Sequence, residues 1–367
     1  MKILELVFDL RSGGAERFAV DLSNELSKTN DVTIMALKDD TAEPELSLFY
    51  KYDLSDRVTY KNLGLHKGYT PRMGWRIYKA IKAEKADVVH LHGHGMPLYC
   101  YFAILLLNRK TKFYQTIHAD IHNGYTSFVY RCLIKTVGNS HKMGFVALSE
   151  TNYRDMMKAY PNIKSACITN GRAPIMPTDK FDEVKTEMAS YKNNPNSLVY
   201  IHVARCNTVK NQTMLVEAFS KFIETGHDAD LVVIGGGFDS ELGESIKSKA
   251  GNRIHFIGMR KNVGDYLLNA DVFCLSSNLE GMPITILEAI LAGVPIVSTP
   301  VCGAVDVIIN KKNGILSEGY SLNDYLVALE YSYSHLHELK ETAVKMKDDS
   351  PYTIAKCAKK YMDFFNR

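Results

Sequence analysis

Two glutamates, Glu280 and Glu288, lie in an otherwise apolar stretch of sequence, LEGMPITILEAILAGVP. Glu288 is the one ionisable residue of a predicted helix that is apolar on every side, and such helices are buried. A buried carboxylate without a partner costs on the order of several kcal/mol, so Glu288 needs a cation or a ligand hydroxyl. Glu280 lies in the loop before the positively polarised end of the helix. Because carboxylates accept hydrogen bonds from paired hydroxyls, the two residues predict a sugar-binding site. Two internally satisfied glutamates remain the alternative.

The helix that follows Glu280 is bounded by residues with special backbone preferences. Gly281 and Pro283 predict a turn, with Pro283 at the first helical position, and Gly293 predicts the end after Ala292. A pair of glycosidase carboxylates is a rival interpretation. Such carboxyl groups lie ~5–5.5 Å apart in retaining enzymes and ~6.5–9.5 Å apart in inverting ones. Eight helical residues span ~12 Å, so the spacing does not favour hydrolysis.

Two cations, Arg205 and Lys210, follow a predicted strand in the segment ARCNTVKNQTML. They flank a turn ahead of a helix that starts near Asn211. Two cations beside a helix N-terminus can neutralise the charges of a diphosphate. The alternative is an exposed pair with no ligand.

Glycines follow two further predicted strands. Gly13 and Gly14 occur in DLRSGGAER, and Gly235 and Gly237 in GGGFDSEL. A missing side chain lets backbone N–H groups approach a phosphate or a sugar, although plain turns use the same residues. Neither segment has the G-x-G-x-x-G spacing of a dinucleotide site, since Ser240 takes the sixth position of the second. The glycines therefore weigh against a nicotinamide oxidoreductase.

Histidines end two predicted strands of the first half. His118 follows Ile117, where its ring can reach a ligand, although a structural histidine is the alternative. His90, His92 and His94 alternate at the end of another strand. No carboxylate or cysteine beside them in the sequence completes a ligand set, so we expect no metal there.

An Asp-x-Asp pair, Asp228 and Asp230, has the form of a metal–diphosphate site in some transferases. It precedes a predicted strand instead of following one, which puts it at the wrong end of a sheet. We interpret it as a loop, and the sequence predicts no metal site.

These candidates are positioned by short apolar runs that alternate with longer amphipathic segments, a pattern typical of βαβ units and a parallel sheet. The clearest predicted strands are Ile3–Phe8, Val32–Leu37, Val88–Leu91, Phe113–Ile117, Phe145–Leu148, Ala166–Ile168, Leu198–Val203, Leu231–Ile234, Ile254–Phe256, Val272–Leu275 and Ile296–Ser298. Examples of predicted helices are Glu16–Leu26, Trp75–Glu84, Gln212–Glu224 and Val263–Asn269. In open parallel sheets, ligands bind beyond the carboxyl ends of the strands.

The chain of 367 residues is too long for one typical core. A segment rich in Pro, Asn and charge at 173–197 interrupts the alternation, which predicts a domain boundary near residue 175. The expected fold class is α/β, with two Rossmann-like, doubly wound parallel-sheet domains that face each other across a cleft. They span 1–175 and 176–350.

Composition points to a cytoplasmic protein. Hydrophobic residues make up 46% and charged residues 23%, as in ordinary soluble proteins. The seven scattered cysteines contain no Cys-x-x-Cys pair, which suits a reducing compartment. Glu5 and Asp9 interrupt the apolar core that a signal peptide needs. The longest apolar run, Met96–Leu107, is too short to cross a bilayer.

Basic residues concentrate in the first half, where 57–142 holds 14 Lys or Arg against three Asp or Glu. Part of this excess lies around a predicted helix, with aromatic residues between the cations. The residues are Lys67, Tyr69, Arg72, Trp75, Arg76, Tyr78, Lys79, Lys82 and Lys85. This composition suits peripheral contact with an anionic membrane or an anionic substrate. A solvated basic face is the alternative, and no nucleic-acid partner is expected.

Taken together, the motifs resemble the family 4 glycosyltransferases of the GT-B fold over nearly the whole chain. LEGMPITILEAILAGVPIVST is similar to the E-x7-E signature of that family, and VARCNTVKNQTMLVEAF to its Arg…Lys segment. SGGAER, TIHAD, ALSETNYRDM, ITNGR, VVIGGG and IHFIGMRKNVGDYLLNADVFCLSS follow in the family's order. The tail SPYTIAKCAKKYMDFF is similar to a terminal helix, here 351–367, that crosses back onto the N-terminal domain.

The resemblance implies a role for each candidate. Arg205 and Lys210 would bind the donor diphosphate, and Glu288 its ribose. Glu280 would hold the transferred sugar, and His118 would face that sugar near the reacting carbon. These imply a catalytic set of His118, Glu280, Arg205 and Lys210.

The resemblance also implies contacts made by backbone groups. They comprise the backbone of Gly281, Met282, Pro283 and Ile284 beside the sugar, of Gly13, Gly14, Gly235 and Gly237 near the phosphates, and of Arg260 to Val263 at the base. Pro283 has no N–H group, so it belongs to this segment by position but donates no backbone hydrogen bond. Three residues depart from the family pattern: Asp306 stands where Glu is commoner, Arg172 where an apolar residue is usual, and Gly236 where an acidic residue is frequent.

The family's members are retaining enzymes that build polysaccharides, lipopolysaccharide and glycolipids. The implied activity is metal-independent transfer of a hexose or N-acetylhexosamine from a nucleotide-diphosphate sugar, UDP-linked, to a saccharide or lipid-linked saccharide. No further cofactor is implied. The alternatives are a sugar-nucleotide epimerase of the same fold and a non-catalytic protein that binds nucleotide sugars. The implied location is the cytoplasm, with the inner face of the plasma membrane left open.

Overall fold

The computed structural model of the chain describes residues 1–38, 47–66, 68–107, 110–118, 128–140 and 142–367, and only the backbone of 128–130. Two sequence features fall outside these residues: the remainder of HADIHNG after His118, and Lys67 of the basic stretch. The chain divides into two compact units. Unit 1 is Met1–Ala173 with Tyr352–Arg367, and unit 2 is Pro174–Pro351. The sequence predicts this boundary near residue 175.

Unit 1 has, in its described residues, a seven-stranded parallel sheet in the order β3-β2-β1-β4-β5-β6-β7. The strands are β1 (Lys2–Val7), β2 (Asp31–Lys38), β3 (Val58–Leu65), β4 (Val88–His92), β5 (Lys112–Ile117), β6 (Met143–Ala147) and β7 (Lys164–Cys167). The helices are α1 (Gly14–Leu26), α2 (Pro71–Glu84), α3 (Met96–Tyr99), α4 (Tyr101–Leu107), α5 (Phe128–Asn139) and α6 (Glu150–Ala159). The strand order reverses between β1 and β4, so the carboxyl ends of these two strands flank the crevice where such sheets bind ligands.

Unit 2 has a six-stranded parallel sheet within its described residues, in the order β10-β9-β8-β11-β12-β13. The strands are β8 (Leu198–Val203), β9 (Ala229–Ile234), β10 (Ile254–Gly258), β11 (Val272–Leu275), β12 (Ile296–Ser298) and β13 (Gly314–Leu316). The helices are α7 (Phe181–Tyr191), α8 (Gln212–Glu224), α9 (Glu241–Lys247), α10 (Val263–Leu268), α11 (Ile284–Ala292), α12 (Ala304–Val307), α13 (Leu322–Ser334) and α14 (Leu336–Asp348). Here the strand order reverses between β8 and β11, which places the loops after Val203 and Leu275 side by side.

The final helix, α15 (Ile354–Asn366), packs in unit 1 although it follows unit 2 in the sequence. Tyr361 and Phe365 are fully buried. Thr353 forms a parallel bridge with Arg172, and the Lys112 Nζ atom donates a hydrogen bond to the Phe365 carbonyl at 2.9 Å. The helix therefore completes the core of unit 1.

The sheets confirm the predicted α/β class and most strands, but two strands were not predicted. The sequence of β3, VTYKNLGL, is half polar because the strand lies at the sheet edge, where alternate side chains face water. The other, β13, is the short segment Gly314–Leu316, which begins with glycine, a residue depleted in strands. Among the described residues, no helix combines the length and the apolar character that a membrane span requires.

Candidate active site

The loop after β8 carries the two predicted phosphate-binding cations. Asn207 caps the short 3-10 turn Thr208–Lys210, with its Oδ1 atom accepting from the Lys210 N–H at 3.0 Å. Asn211 then adopts a left-handed conformation with φ of 51°, which Asn tolerates better than most residues. This turn directs Lys210 toward β11, while Arg205 is exposed.

Lys210 and Glu280 are in direct contact. The Lys210 Nζ atom lies 2.5 Å from Glu280 Oε1, and Ser277 Oγ donates to the same oxygen at 2.6 Å. The two charged side chains are 25% and 13% exposed. Ser276 Oγ donates to the Lys210 carbonyl at 2.8 Å, which fixes the turn against the end of β11. The residues predicted to hold the phosphate and the sugar thus meet where the strand order of unit 2 reverses.

Helix α11 ends after Ala292, as predicted, and begins at Ile284. Pro283 lies at the N-cap and not, as predicted, at the first helical position, and Gly293 ends the helix with φ of 76°. Glu288 is 8% exposed and has a hydrogen-bonding or electrostatic partner, as the cost of its burial requires. The other buried residues of α11 are apolar or small.

A close approach of two loops holds the segment before α11. A Cβ atom on Gly303 would lie 2.8 Å from both the Gly281 carbonyl oxygen and the Met282 Cα atom. Gly303 also has φ of 77°, a conformation that favours glycine. Residues 281–284, whose backbone was predicted to border the sugar, are therefore fixed by packing.

The glycines after β9 are required by packing in the same unit. Gly235 has φ of 156°, and a Cβ atom there would lie 1.9 Å from the Ala204 carbonyl oxygen. The Cys206 N–H donates to the Gly236 carbonyl at 2.9 Å. The turn that includes Gly237 therefore lies against the loop that carries Arg205, and a substrate role for Gly235 or Gly237 stays a prediction.

Arg260 is held by side chains of unit 2. Its Nε atom donates to the Tyr266 hydroxyl at 2.8 Å, and its Nη2 atom to Glu187 Oε1 at 3.1 Å. Tyr266 in turn donates to Glu187 Oε2 at 2.5 Å. Since the guanidinium is engaged, the predicted contact with a base falls to the backbone between Arg260 and Val263, where α10 begins.

Three of the predicted site residues belong to unit 1. Gly13 is the N-cap of α1 with an extended backbone, and Gly14 is the first helical residue. His118 follows β5 and is partly exposed. Its Nε2 atom lies 3.1 Å from His92 Nδ1, and its ring meets the edge of Phe18 at a centroid distance of 5.7 Å.

The expectation that no carboxylate lies with the histidines of β4 is wrong. Glu5 on β1 pairs in register with His90 on β4, and its Oε2 atom lies 2.8 Å from His90 Nδ1 and 2.6 Å from His92 Nε2. His94 lies beyond β4 and takes no part. A glutamate inside the otherwise apolar run ILELV of β1 was the signal for this cluster, which sequence reasoning did not use.

The Asp-x-Asp pair is occupied by an arginine. Asp228 immediately precedes β9, whereas Asp230 is the second residue of that strand and not part of a loop. Arg253 Nη2 lies 2.8 Å from Asp228 Oδ1, and Arg253 Nε lies 2.6 Å from Asp230 Oδ1. The arginine holds the pKa of Asp228 below its usual value. The pair lies at the amino end of β9, away from the glycine loop.

The unusual Arg172 also has a structural role. Its guanidinium binds Asp21 on α1, and Arg17 binds the other oxygen of the same carboxylate at 2.8 Å. Arg17 also donates a hydrogen bond to Asp53. Arg172, near the end of the segment Met1–Ala173, is thus bound to α1.

Comparisons with known proteins match this architecture. Residues 12–172 match the family described as Glycosyltransferase Family 4, and residues 183–346 match Glycosyl transferases group 1. The UDP-Gal:alpha-D-GlcNAc-diphosphoundecaprenol alpha-1,3-galactosyltransferase of Escherichia coli is 25% identical over 314 residues, which cover 79% of this chain and 74% of that protein. An uncharacterized glycosyltransferase of Methanocaldococcus jannaschii is 26% identical over 243 residues, which cover 61% of this chain and 58% of that protein.

A solved structure shows the same fold. The crystal structure of Anabaena Alr3699/HepE in complex with UDP and glucose superposes with a TM-score of 0.82 at 14% identity, covering 100% of this chain and 99% of that one. The two matched regions account for nearly the whole chain, and both parallel sheets agree with the predicted architecture. The chain belongs to family 4 of the glycosyltransferases and has the GT-B fold.

Proposed function

We propose that the protein is a retaining glycosyltransferase that moves a hexose or N-acetylhexosamine from a UDP-linked sugar to a saccharide or lipid-linked saccharide during surface-polysaccharide biosynthesis. The contact between Lys210 and Glu280 carries this proposal. A cation for a phosphate and a carboxylate for sugar hydroxyls are needed at neighbouring positions of one donor. The name of the Escherichia coli relative, which states a UDP-sugar donor and a lipid diphosphate acceptor, supports the substrate classes.

Lys210 can serve Glu280 and a phosphate at the same time. An ammonium has three N–H donors, and Glu280 Oε1 occupies one direction. A partly exposed ion pair contributes little stability by itself, so adding a phosphate to it disrupts little of the fold. Arg205, which forms no ion pair with any residue in the described part of the chain, supplies the second positive charge.

In the proposed reaction, the bond between the sugar C1 atom and the phosphate oxygen breaks while the acceptor hydroxyl oxygen bonds to C1 from the same face. The acceptor proton passes to the departing phosphate oxygen. Negative charge grows on the diphosphate, where Arg205, Lys210 and the helix N-termini stabilise it. Glu280 holds the sugar hydroxyls, and Glu288 the ribose.

These cations replace the divalent ion that some transferases use, so we propose a metal-independent reaction. Activity is expected to survive chelation by EDTA. Loss of activity with EDTA, restored by manganese or magnesium, would contradict this proposal. Asp228 and Asp230 would then have to exchange Arg253 for the ion.

A cavity in unit 1 offers a place for the acceptor. Its volume is about 260 Å³, and it opens at the carboxyl ends of β1, β2 and β3. Phe8 and Tyr99 provide aromatic faces for the apolar side of a sugar ring, and Lys38 and His66 provide polar groups. This mixture of aromatic faces and a few polar groups is typical of small-molecule sites.

The surface of helix α2 favours the proposal that the acceptor is lipid-linked. Arg72, Arg76, Lys79 and Lys82 are exposed on it, together with Trp75, which is 45% exposed. Exposed cations beside an exposed indole suit the headgroup region of an anionic membrane. We therefore propose that unit 1 contacts the inner face of the plasma membrane through α2.

The test is incubation with a panel of radiolabelled nucleotide sugars, with and without a lipid-linked acceptor. Transfer predicts a labelled glycolipid of retained anomeric configuration and release of the nucleoside diphosphate only when an acceptor is present. An epimerase would convert the donor without an acceptor. Binding without any turnover would identify the non-catalytic alternative.

A further inference from the structure

A continuous set of buried polar side chains lies beneath His118. Glu5 and His90 are fully buried, and His92 is 2% exposed. Both histidines face one carboxylate oxygen, Glu5 Oε2, because the three residues come from adjacent strands in register. An ionisable group at this depth persists only when its hydrogen bonds are provided.

The contact of His92 with Glu5 has the geometry of a hydrogen bond. A carboxylate with two histidines is also a possible ligand set for zinc. Two ligands at ~2.0–2.1 Å from a tetrahedral zinc ion lie about 3.3 Å apart. His92 Nε2 and Glu5 Oε2 are 2.6 Å apart, which is a direct hydrogen bond instead.

The charges of this group determine where its protons are. Burial raises the pKa of Glu5, but His90 and His92 outweigh it and lower that pKa to about 2, so the carboxylate is ionised. Burial, with His90 nearby, lowers the pKa of His92 to about 4, so its ring is neutral at physiological pH. A neutral imidazole has one N–H, and in His92 it must be at Nε2, which faces the carboxylate.

The tautomer of His92 determines the tautomer of His118. With its hydrogen on Nε2, His92 presents Nδ1 as an acceptor, and His118 Nε2 lies 3.1 Å from it. Burial and the neighbouring histidines hold the pKa of His118 well below its usual value, so this ring is also neutral. His118 therefore donates from Nε2, and its Nδ1 atom carries a lone pair.

We propose that Glu5, acting through His92, is a positioning residue that holds His118 in the Nε2–H form and presents its Nδ1 atom as an acceptor for a hydroxyl of the donor sugar. This inference rests on the proposed function and on the role that the family resemblance implies for His118, next to the transferred sugar. A histidine fixed in one tautomer and one ring orientation needs no reorganisation when the donor binds. Partners that orient metal-bound histidines act in the same way.

A second arm of polar contacts reaches Glu5 from the other side. Tyr361 on α15 lies 2.8 Å from Thr116 Oγ1, which lies 2.8 Å from His90 Nε2. His90 Nδ1 lies 2.8 Å from Glu5 Oε2 but is poorly aligned for a hydrogen bond. The Tyr361 arm ends at the same carboxylate without passing through His92, so it provides a matched control.

The first experiment is ¹⁵N NMR of the full-length protein labelled at its histidine side chains, with the His118 signals identified from a His118→Asn variant. The expected wild-type pattern is hydrogen on Nε2 and none on Nδ1. Glu5→Gln should lose this pattern, because an amide can donate to His92 as well as accept from it. Tyr361→Phe should keep it.

Three outcomes would overturn the proposal: a wild-type His118 with its hydrogen on Nδ1, a Glu5→Gln variant with an unchanged pattern, or an equal change in Tyr361→Phe. The first of these needs no variant, so the test remains decisive if Glu5→Gln does not fold. These readouts do not depend on catalysis.

Steady-state kinetics then test the consequence. Glu5→Gln should lower kcat by about 10- to 100-fold, the range for loss of an orienting partner, with little change in the KM for the nucleotide sugar. A changed tautomer with an unchanged kcat would overturn the positioning role while leaving glycosyl transfer intact. A wild-type protein with the expected NMR pattern but no transfer would instead remove the proposed function.

Discussion

The reversal points of the two sheets hold charged groups of opposite character. In unit 1, between β1 and β4, the charge is the fully buried carboxylate of Glu5, with histidines around it. In unit 2, between β8 and β11, it is the partly exposed pair of Lys210 and Glu280. The buried carboxylate has no access to solvent, whereas the exposed ammonium can still gain a partner.

This difference separates two tasks of a transferase site. Unit 2 offers partly exposed positive charge, which suits a ligand that arrives with negative charge and leaves with more. Unit 1 offers a neutral imidazole in a fixed orientation, which suits a hydroxyl group that carries no net charge. Electrostatic stabilisation of a leaving group and precise placement of a hydroxyl are distinct contributions to a rate. Each can be removed separately.

The largest expected effect is loss of the cation in unit 2. Lys210→Ala removes the charge that we propose stabilises the departing diphosphate, and removal of one such group typically lowers kcat by about 10²–10³-fold. Release of nucleoside diphosphate measures it. Lys249→Ala, which breaks the exposed pair with Glu217 in the same unit, is the control and should keep full activity. Equal losses in both variants would show that the effect is not specific to the site.

Donor affinity should fall when single charge-assisted hydrogen bonds are removed. Arg205→Ala weakens the hold on the diphosphate, and Glu288→Gln the hold on the ribose, each by roughly 1.5–3 kcal/mol. Calorimetric titration with the free nucleoside diphosphate measures both changes. Glu217→Gln is the matched control for the carboxylate. Unchanged affinity in Arg205→Ala and Glu288→Gln would reject their assigned roles.

The free energy of unfolding should decrease as the pH is lowered, in both units, because each unit buries a neutral histidine. Burial lowers the pKa of His202 in unit 2 to about 4, as it does for His92. Between about pH 6.5 and 4 the unfolded chain binds protons that the folded chain does not, so the free energy of unfolding decreases as the pH falls through this window.

Calorimetric melts at pH 7 and pH 5 test this dependence. His202→Gln should reduce the loss of stability on acidification, whereas the same change at exposed His337 should leave it unaltered. An identical pH dependence in wild type and His202→Gln would exclude this histidine as a source.

The smallest expected effect per residue concerns the membrane. Each cation near an anionic surface contributes ~1 kcal/mol, so binding of the protein to anionic liposomes should be weak and should fall with salt. Changing Arg72, Arg76 and Lys79 to Glu should abolish co-sedimentation. The same reversal at exposed Lys135, Lys359 and Lys360 alters net charge equally and should leave most binding intact. Binding that is absent at low salt would favour a solvated basic helix.

The sequence predicts the parts of this fold that repeat a strong local pattern. The bounds of β8, β11, β12 and α8 agree with the prediction because buried parallel strands form short continuous apolar runs and an amphipathic helix shows a clear period. Edge strand β3 was not predicted, because its solvent-exposed side chains interrupt the apolar pattern. The glutamates of unit 2 could be recognised because they interrupt an otherwise apolar stretch of sequence.

The partners of those residues could not be predicted in the same way. Glu5 and His92 are far apart in sequence, and they meet only because β1 pairs with β4 in one register. The contact of Lys210 with Glu280 likewise depends on the turn that Asn207 caps. Contacts between residues that are far apart in sequence depend on the order and register of the strands, which cannot be derived from individual residues.

The placement of α15 affects the order in which the protein can fold during synthesis. A ribosome makes residues 352–367 only after the whole of unit 2, yet Tyr361 and Phe365 belong to the core of unit 1. Until they emerge, the surface around Tyr114 and Thr116 lacks the side chains that cover it. Unit 2 can therefore complete its fold first, although domains usually fold in the order in which they are made. Unit 1, which begins the chain, is the last to be complete.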